Sequence, residues 1–204
     1  MKSISIIFIF LFGASCIYSQ RDFQVISSSI RITGTSTFHD WQATTGNIFG
    51  TASLNMNSQD LESISKLSLK IDASSLKSDQ GKWMDKTIYK TLNTDEYPKI
   101  SFSLKRSKNF SKNKKEMKLK ALGELTIAGT TRTVIINALG KKNSNYFKIS
   151  GSKTIELSAF NIVPPTHMLG TVKAGSSVEV FFEVTFANSG FCYQNDTPNY
   201  LAKK

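Results

Sequence analysis

Cysteine is nearly missing from this sequence: its 204 residues hold two, Cys16 and Cys192. Cys16 lies in a stretch that reads as a removable leader, which leaves Cys192 alone. An internal disulfide is thereby excluded, and the fold must rest on an apolar core. Histidine is equally scarce, with His39 and His167 far apart in the chain. Two histidines and one cysteine, widely separated in the chain, make a weak case for the three or four ligands that a zinc site needs. There is no G-x-S-x-G elbow, no glycine-rich nucleotide fingerprint and no phosphate-binding loop. Acidic residues are scattered singly, without the paired carboxylates of a glycosidase. Nothing in this inventory assembles a reaction site, so neither an enzyme nor a resident cofactor is expected.

Long apolar runs are also absent. The only one, Ile4–Phe12, is far shorter than the ~20 residues that cross a bilayer as a helix. Lys2 precedes it, and Gly13, Ala14, Ser15 and Ser19 follow it. Residues 1–19 therefore read as a signal peptide cleaved after Ser19. The rival is cleavage before Cys16 with lipid on that cysteine, although Gly13 stands where lipoprotein signals usually carry leucine. The expectation is a periplasmic or secreted protein. Residues 20–187 then form one domain. Residues 188–204 are a tail that loses the pattern described below.

Acid is in deficit: 15 Asp and Glu face 26 Lys and Arg, a formal net charge of +11. Much of the excess sits in residues 105–120, "KRSKNFSKNKKEMKLK". Flanked by strand-like segments, this run reads as a solvated hairpin tip. Its alternative role is docking on an anionic membrane surface. No nucleic-acid motif accompanies the charge, and a nucleic-acid partner is not expected.

What is present is alternation. Leu67, Leu69 and Ile71 alternate with Ser68 and Lys70, and Ile100, Phe102 and Leu104 with Ser101 and Ser103. Met117, Leu119, Ala121, Gly123, Leu125 and Ile127 share one face, as do Val178, Val180, Phe182, Val184 and Phe186. Period-two patterns mark half-buried antiparallel strands. Further strands are expected at 23–32, 36–43, 47–54, 132–138 and 147–157. So many strands must hide their edges in a closed barrel or a sandwich. Small inward residues such as Ala121 and Gly123 leave room for a ligand, but a filled interior is equally compatible with the composition.

One segment departs from this rhythm. In "KWMDKTIYKTL", residues 82–92, Met84, Ile88 and Leu92 recur at helical spacing. Ser78 or Asp79 is expected to cap its start and Asn93 to end it. Such a helix either covers one open end of a barrel or packs on its outside. The stretch "GTSTFHDW" places His39 beside Asp40. If 36–43 is a strand, His39 shares a face with Trp41 and Ala43, while Asp40 points the other way. His39 then holds a structural hydrogen bond or contributes one polar group to a cavity.

Longer runs carry a resemblance. "MDKTIYKTLNTDEYPKISFSL", "GELTIAGTTRTVIINA" and "SAFNIVPPTHMLGTVKAGSSVEVFFEVTF", in that order, resemble the YceI-like family of exported bacterial proteins. So does "GTSTFHDW" followed by "GNIFGTASL". The resemblance covers residues 23–187. It implies an all-β fold: an antiparallel, eight-stranded, lipocalin-like β-barrel with one short helix in a long connection. It also implies a non-enzymatic carrier holding a long apolar ligand, an isoprenoid quinone precursor or a fatty amphiphile. The alternative is an envelope or stress-related interaction module with a filled barrel. The family has no short binding signature to transfer. Strand facing and helix position instead select Trp41, His39, Leu67, Leu69, Trp83, Met84, Ile88, Leu119, Leu125 and Met168 as candidate ligand-lining residues. The prolines of "NIVPPT" imply an extended crossing into the final strands.

Overall fold

The computed structural model describes residues 19–57, 60–109, 117–142 and 146–188. Cys16, Cys192, the tail and the lysines Lys112, Lys114 and Lys115 of the basic hairpin lie outside these residues. The strands are β1 (Ser19–Ser36), β2 (Trp41–Thr45), β3 (Ile48–Asn57), β4 (Asp60–Asp72), β5 (Lys77–Ser78), β6 (Lys99–Asn109), β7 (Met117–Ile127), β8 (Thr130–Lys142), β9 (Tyr146–Glu156), β10 (Thr166–His167) and β11 (Val172–Asn188). One helix, α1 (Lys82–Leu92), spans the long connection between β5 and β6.

Eight of these strands pair in the order β1-β3-β4-β6-β7-β8-β9-β11, and β11 returns to β1. Every pairing is antiparallel. The result is the expected closed, antiparallel eight-stranded barrel, in which no long edge is left unpaired. The short strands β2, β5 and β10 extend its rim.

The alternating sets face inward as read, but the pairing register shifts at several points, two of them between β3 and β4. The β1–β11 register shifts between Val25 and Ser27, and the β6–β7 register between Leu104 and Arg106. Each shift is a bulge that lets a strand change the parity of its inward residues. Phe23 and Ile30, seven positions apart, are therefore both buried.

Two sequence expectations need correction. Residues 36–43 are not one strand. β1 ends at Ser36, the chain reverses at 37–40, and β2 begins at Trp41. The face assignment of His39 and Asp40 falls with it. The start of α1 is not capped by Ser78 or Asp79 either: Gly81 is the N-cap, at φ 82°, with no side-chain cap. Ser78 is held in β5, and its backbone N–H donates to the Asp85 carboxylate at 2.6 Å. At the other end Asn93, in the left-handed conformation at φ 50°, closes the helix as expected.

The interior is divided lengthwise. At the end away from α1, the rings of Phe147 and Phe186 stack with centroids 6.5 Å apart. Both are fully buried, as is Leu54, and Phe23, Ile64 and Met117 pack around them. Asn109 and Met117, the described residues that flank the basic run, belong to the strand ends on this side. At the opposite end, Met84 and Ile88 of α1 pack with Ala43 and Leu76. Phe160 and Ile162, from the segment between β9 and β10, pack with Ile127 and Ile155.

Candidate ligand-binding site

Between the filled end and the helix lies a cavity of about 250 Å³. Its floor is formed by Phe186, Leu119, Ile64 and Leu67, and its roof by α1 together with Leu157, Ile162 and Pro165. The only polar residues on the wall, among those described, are Thr87, Thr91, Ser101 and Lys153. An apolar wall of this kind favours a ligand by removing its hydrocarbon from water.

The helix is fixed by a compact polar cluster. Asp85, almost fully buried, accepts from Ser78 N and lies 3.6 Å from Lys77 Nζ. Lys77 Nζ lies 2.6 Å from the Tyr89 hydroxyl, which donates to the Leu76 carbonyl at 2.8 Å. The hydrogen bond to Tyr89, with smaller contributions from Tyr89 and Asp85 charge, holds the Lys77 pKa above its usual value. Ahead of the helix, Asp72 caps the turn Ala73–Ser75 through Ser74 and pairs with Lys99 at 3.1 Å. The Ser74 hydroxyl, and then Lys99, hold the Asp72 carboxyl below the usual carboxylate value. The roof is thus bound to the barrel by side chains on both sides of the connection.

Of the candidate lining residues, Trp41, Leu67, Leu69, Met84, Ile88, Leu119 and Leu125 come together on the cavity wall. Three do not. Trp83 is 60% exposed, its ring 4.6 Å from that of His167. It belongs to the first turn of α1, at the rim, and packs outward against β10. Met168 is 74% exposed at φ 50° in the turn between β10 and β11, which sends its side chain to solvent. His39 lies on the exposed 37–40 reversal, where Gln80 Nε2 is 3.1 Å from its Nδ1 and 3.4 Å from the Asp40 carbonyl. It fastens a loop rather than lining the cavity. Among the described residues, no three His, Cys, Asp or Glu converge.

The same stretch has another use. Gly34 of β1 stands directly opposite Trp41 of β2. A Cβ on Gly34 would lie 2.4 Å from Trp41 Cζ2. The indole therefore lies against bare backbone, and Nε1 is buried without a partner.

Lys153 was missed among the candidates. It follows Phe147, Ile149 and Gly151 on the inward alternation of β9 and stands opposite Val180, which also lines the cavity. That alternation was readable in the sequence.

The sequence profile of the YceI-like domain matches residues 23–186. The chain belongs to the YceI-like family. Solved structures share its fold at low identity. A polyisoprenoid-binding domain from Saccharophagus degradans, implicated in plant cell wall breakdown, superposes with a TM-score of 0.62 at 8% identity. The likeness covers 81% of this chain and 98% of that one. Burkholderia cenocepacia BcnA gives 0.59 at 18% identity, over 78% and 95% of the two chains. The Campylobacter jejuni YceI protein gives 0.52 at 20%, over 67% and 79%. No curated protein sequence matches significantly. The YceI-like barrel described here therefore joins a shared scaffold to a cavity walled by its own residues.

Proposed function

We propose that this YceI-like protein is an exported carrier that holds one long apolar chain, isoprenoid or acyl, inside its barrel without transforming it. The observation that carries this reading is the nearly unbroken apolar wall of the interior cavity. A cavity of about 250 Å³ stands just below the range of drug-sized ligand pockets, which run ~300–1,000 Å³. That size favours a single chain over a two-tailed lipid. The polyisoprenoid-binding relative from Saccharophagus degradans supports the same class of ligand. Export is supported by Lys2, the apolar run after it and the small residues that follow.

The test is organic extraction of the purified protein and mass spectrometry of the extract, followed by titration with a polyprenol and a fatty alcohol. A co-purifying chain, or saturable binding of either probe, is expected. Ala121, small and on the cavity wall, supplies the control: Ala121→Phe fills the space and is expected to weaken binding by at least about tenfold while the barrel still folds. An empty extract together with no uptake of either probe would sink the carrier reading.

A further inference from the structure

The strands of the barrel divide unevenly in charge. Neighbouring β6, β7, β8 and β9 carry four, two, three and two Lys or Arg, against two acids, Glu124 and Glu156. The other four strands of the ring hold two on β1, none on β3, two on β4 and one on β11, against six acids. These two sets of strands are opposite halves of the barrel. Charge carried only for solubility has no reason to sort itself by side, whereas a field of one sign on one face suits an anionic partner.

The pleat puts much of this charge on the outer surface. Met117, Leu119, Ala121 and Gly123 of β7 are buried, so Lys118, Lys120 and Leu122 between them point outward. Antiparallel partners share a face, and the register extends that face across its neighbours. Lys118 stands opposite Leu139 of β8, and Leu139 opposite Ser150 of β9. Lys120 stands between Lys108 of β6 and Asn137 of β8, and the next row is Arg106, Leu122 and Ile135. Lys118, Lys120, Asn137, Leu139 and Ser150 line an open groove of about 500 Å³. Ile135 and Leu139, amid these polar groups, are 45% and 44% exposed. Lys105 and Lys148 at the margins pair with Glu124 and Glu183. Lys118 and Lys120 in the middle have no carboxylate partner among the described residues.

Exposed aliphatic side chains ringed by lysines match the two layers of a lipid surface: ammonium groups meet phosphates, and the apolar side chains enter the layer beneath. The groove offers two ammonium groups, an amide and a hydroxyl, all able to donate to a phosphate oxygen. We propose that the outer face of β6–β9, centred on Leu139, docks the barrel on the surface of an anionic phospholipid bilayer. The docking face is a wall of strands rather than the helix end, so the barrel lies on its side. An acidic polymer would meet the lysines and leave Ile135 and Leu139 in water, which favours the bilayer. The basic run of the sequence supplies only the β6 and β7 part of this face. Asn137, Leu139 and Ser150 are brought beside it by the fold.

The experiment is flotation of the whole purified protein with vesicles of phosphatidylcholine alone or mixed with phosphatidylglycerol. Binding to the mixed vesicles only, falling steeply as salt rises, is expected. One lysine at an anionic surface contributes about fivefold. Lys118→Gln combined with Lys120→Gln is therefore expected to weaken binding by at least about tenfold, with thermal unfolding unchanged because both side chains are exposed. A reporter fixes the orientation. The emission added by Leu139→Trp should shift to the blue on mixed vesicles. That added by Phe49→Trp should not, since Phe49 is 64% exposed on β3, across the ring from β8. Sodium phosphate should displace the protein no better than sodium chloride of equal ionic strength. Stronger displacement by phosphate identifies free phosphate as the ligand and overturns the proposal. So does the absence of binding to mixed vesicles, equal binding to both compositions, binding that survives the double substitution, or a blue shift at position 49 instead of 139.

Discussion

At the scale of single residues, position in the pleat outweighs chemical identity. His39 and Trp83 drew attention by type, yet both lie on the outside, whereas Lys153 lines the cavity. Strict alternation from Phe147 to Ile155 made Lys153 legible. No local pattern said that the chain would reverse at 37–40 and remove His39 from any strand face. Two substitutions follow from close contacts. Gly129 has φ 74°, and a Cβ on it would lie 2.5 Å from the Tyr97 ring. Gly129→Ala is expected to lower stability by about 1–3 kcal/mol, read from urea unfolding. Asp72 has a lowered pKa in the folded state, so its contribution is present above its ordinary value and fades as pH falls through the lowered one. Asp72→Asn is therefore expected to be less stable than the wild type at neutral pH. In unfolding measured at falling pH, the difference should begin to shrink at the ordinary carboxylate value and close once the lowered one is passed.

At the scale of elements, the helix and the β7 strand were readable to the residue, because each carries an unbroken period from end to end. The bulges in β1, β4 and β6 were not. A bulge costs one residue of register and leaves the residues on either side looking regular, so only the partner strand reveals it. The cap of α1 was misread for a related reason. Ser78 and Asp79 have capping chemistry, but Ser78 is committed to β5, and Gly81 supplies the positive φ that turns the chain into the helix. Asp85 then does the anchoring from inside the first turn. Asp85→Ala would strand the Ser78 N–H and release Lys77. The expected cost is about 1–3 kcal/mol, with faster hydrogen exchange confined to α1 and β5. Uniform acceleration across the barrel would show instead that the helix and barrel open together.

At the scale of the whole molecule, the number of strands left a closed barrel or a sandwich, and the family resemblance selected the barrel. The lengthwise division of the interior was not legible, since Phe147, Phe182 and Phe186 all occupy inward positions but only Phe147 and Phe186 are fully buried. For a carrier of this shape, affinity in a homologous series of alcohols should rise by about 0.8 kcal/mol per added methylene. It should then level off once the chain meets the floor. Calorimetry across the series measures both the slope and the length at which it breaks. The stacked phenylalanines at the far end give that floor a further meaning. A tube stopped at one end orients its cargo: a chain that goes in tail first keeps its head at the threshold, and withdrawal reverses the path. In the carrier proposed above, whatever receives the cargo would meet the head group first, which would give delivery a built-in polarity.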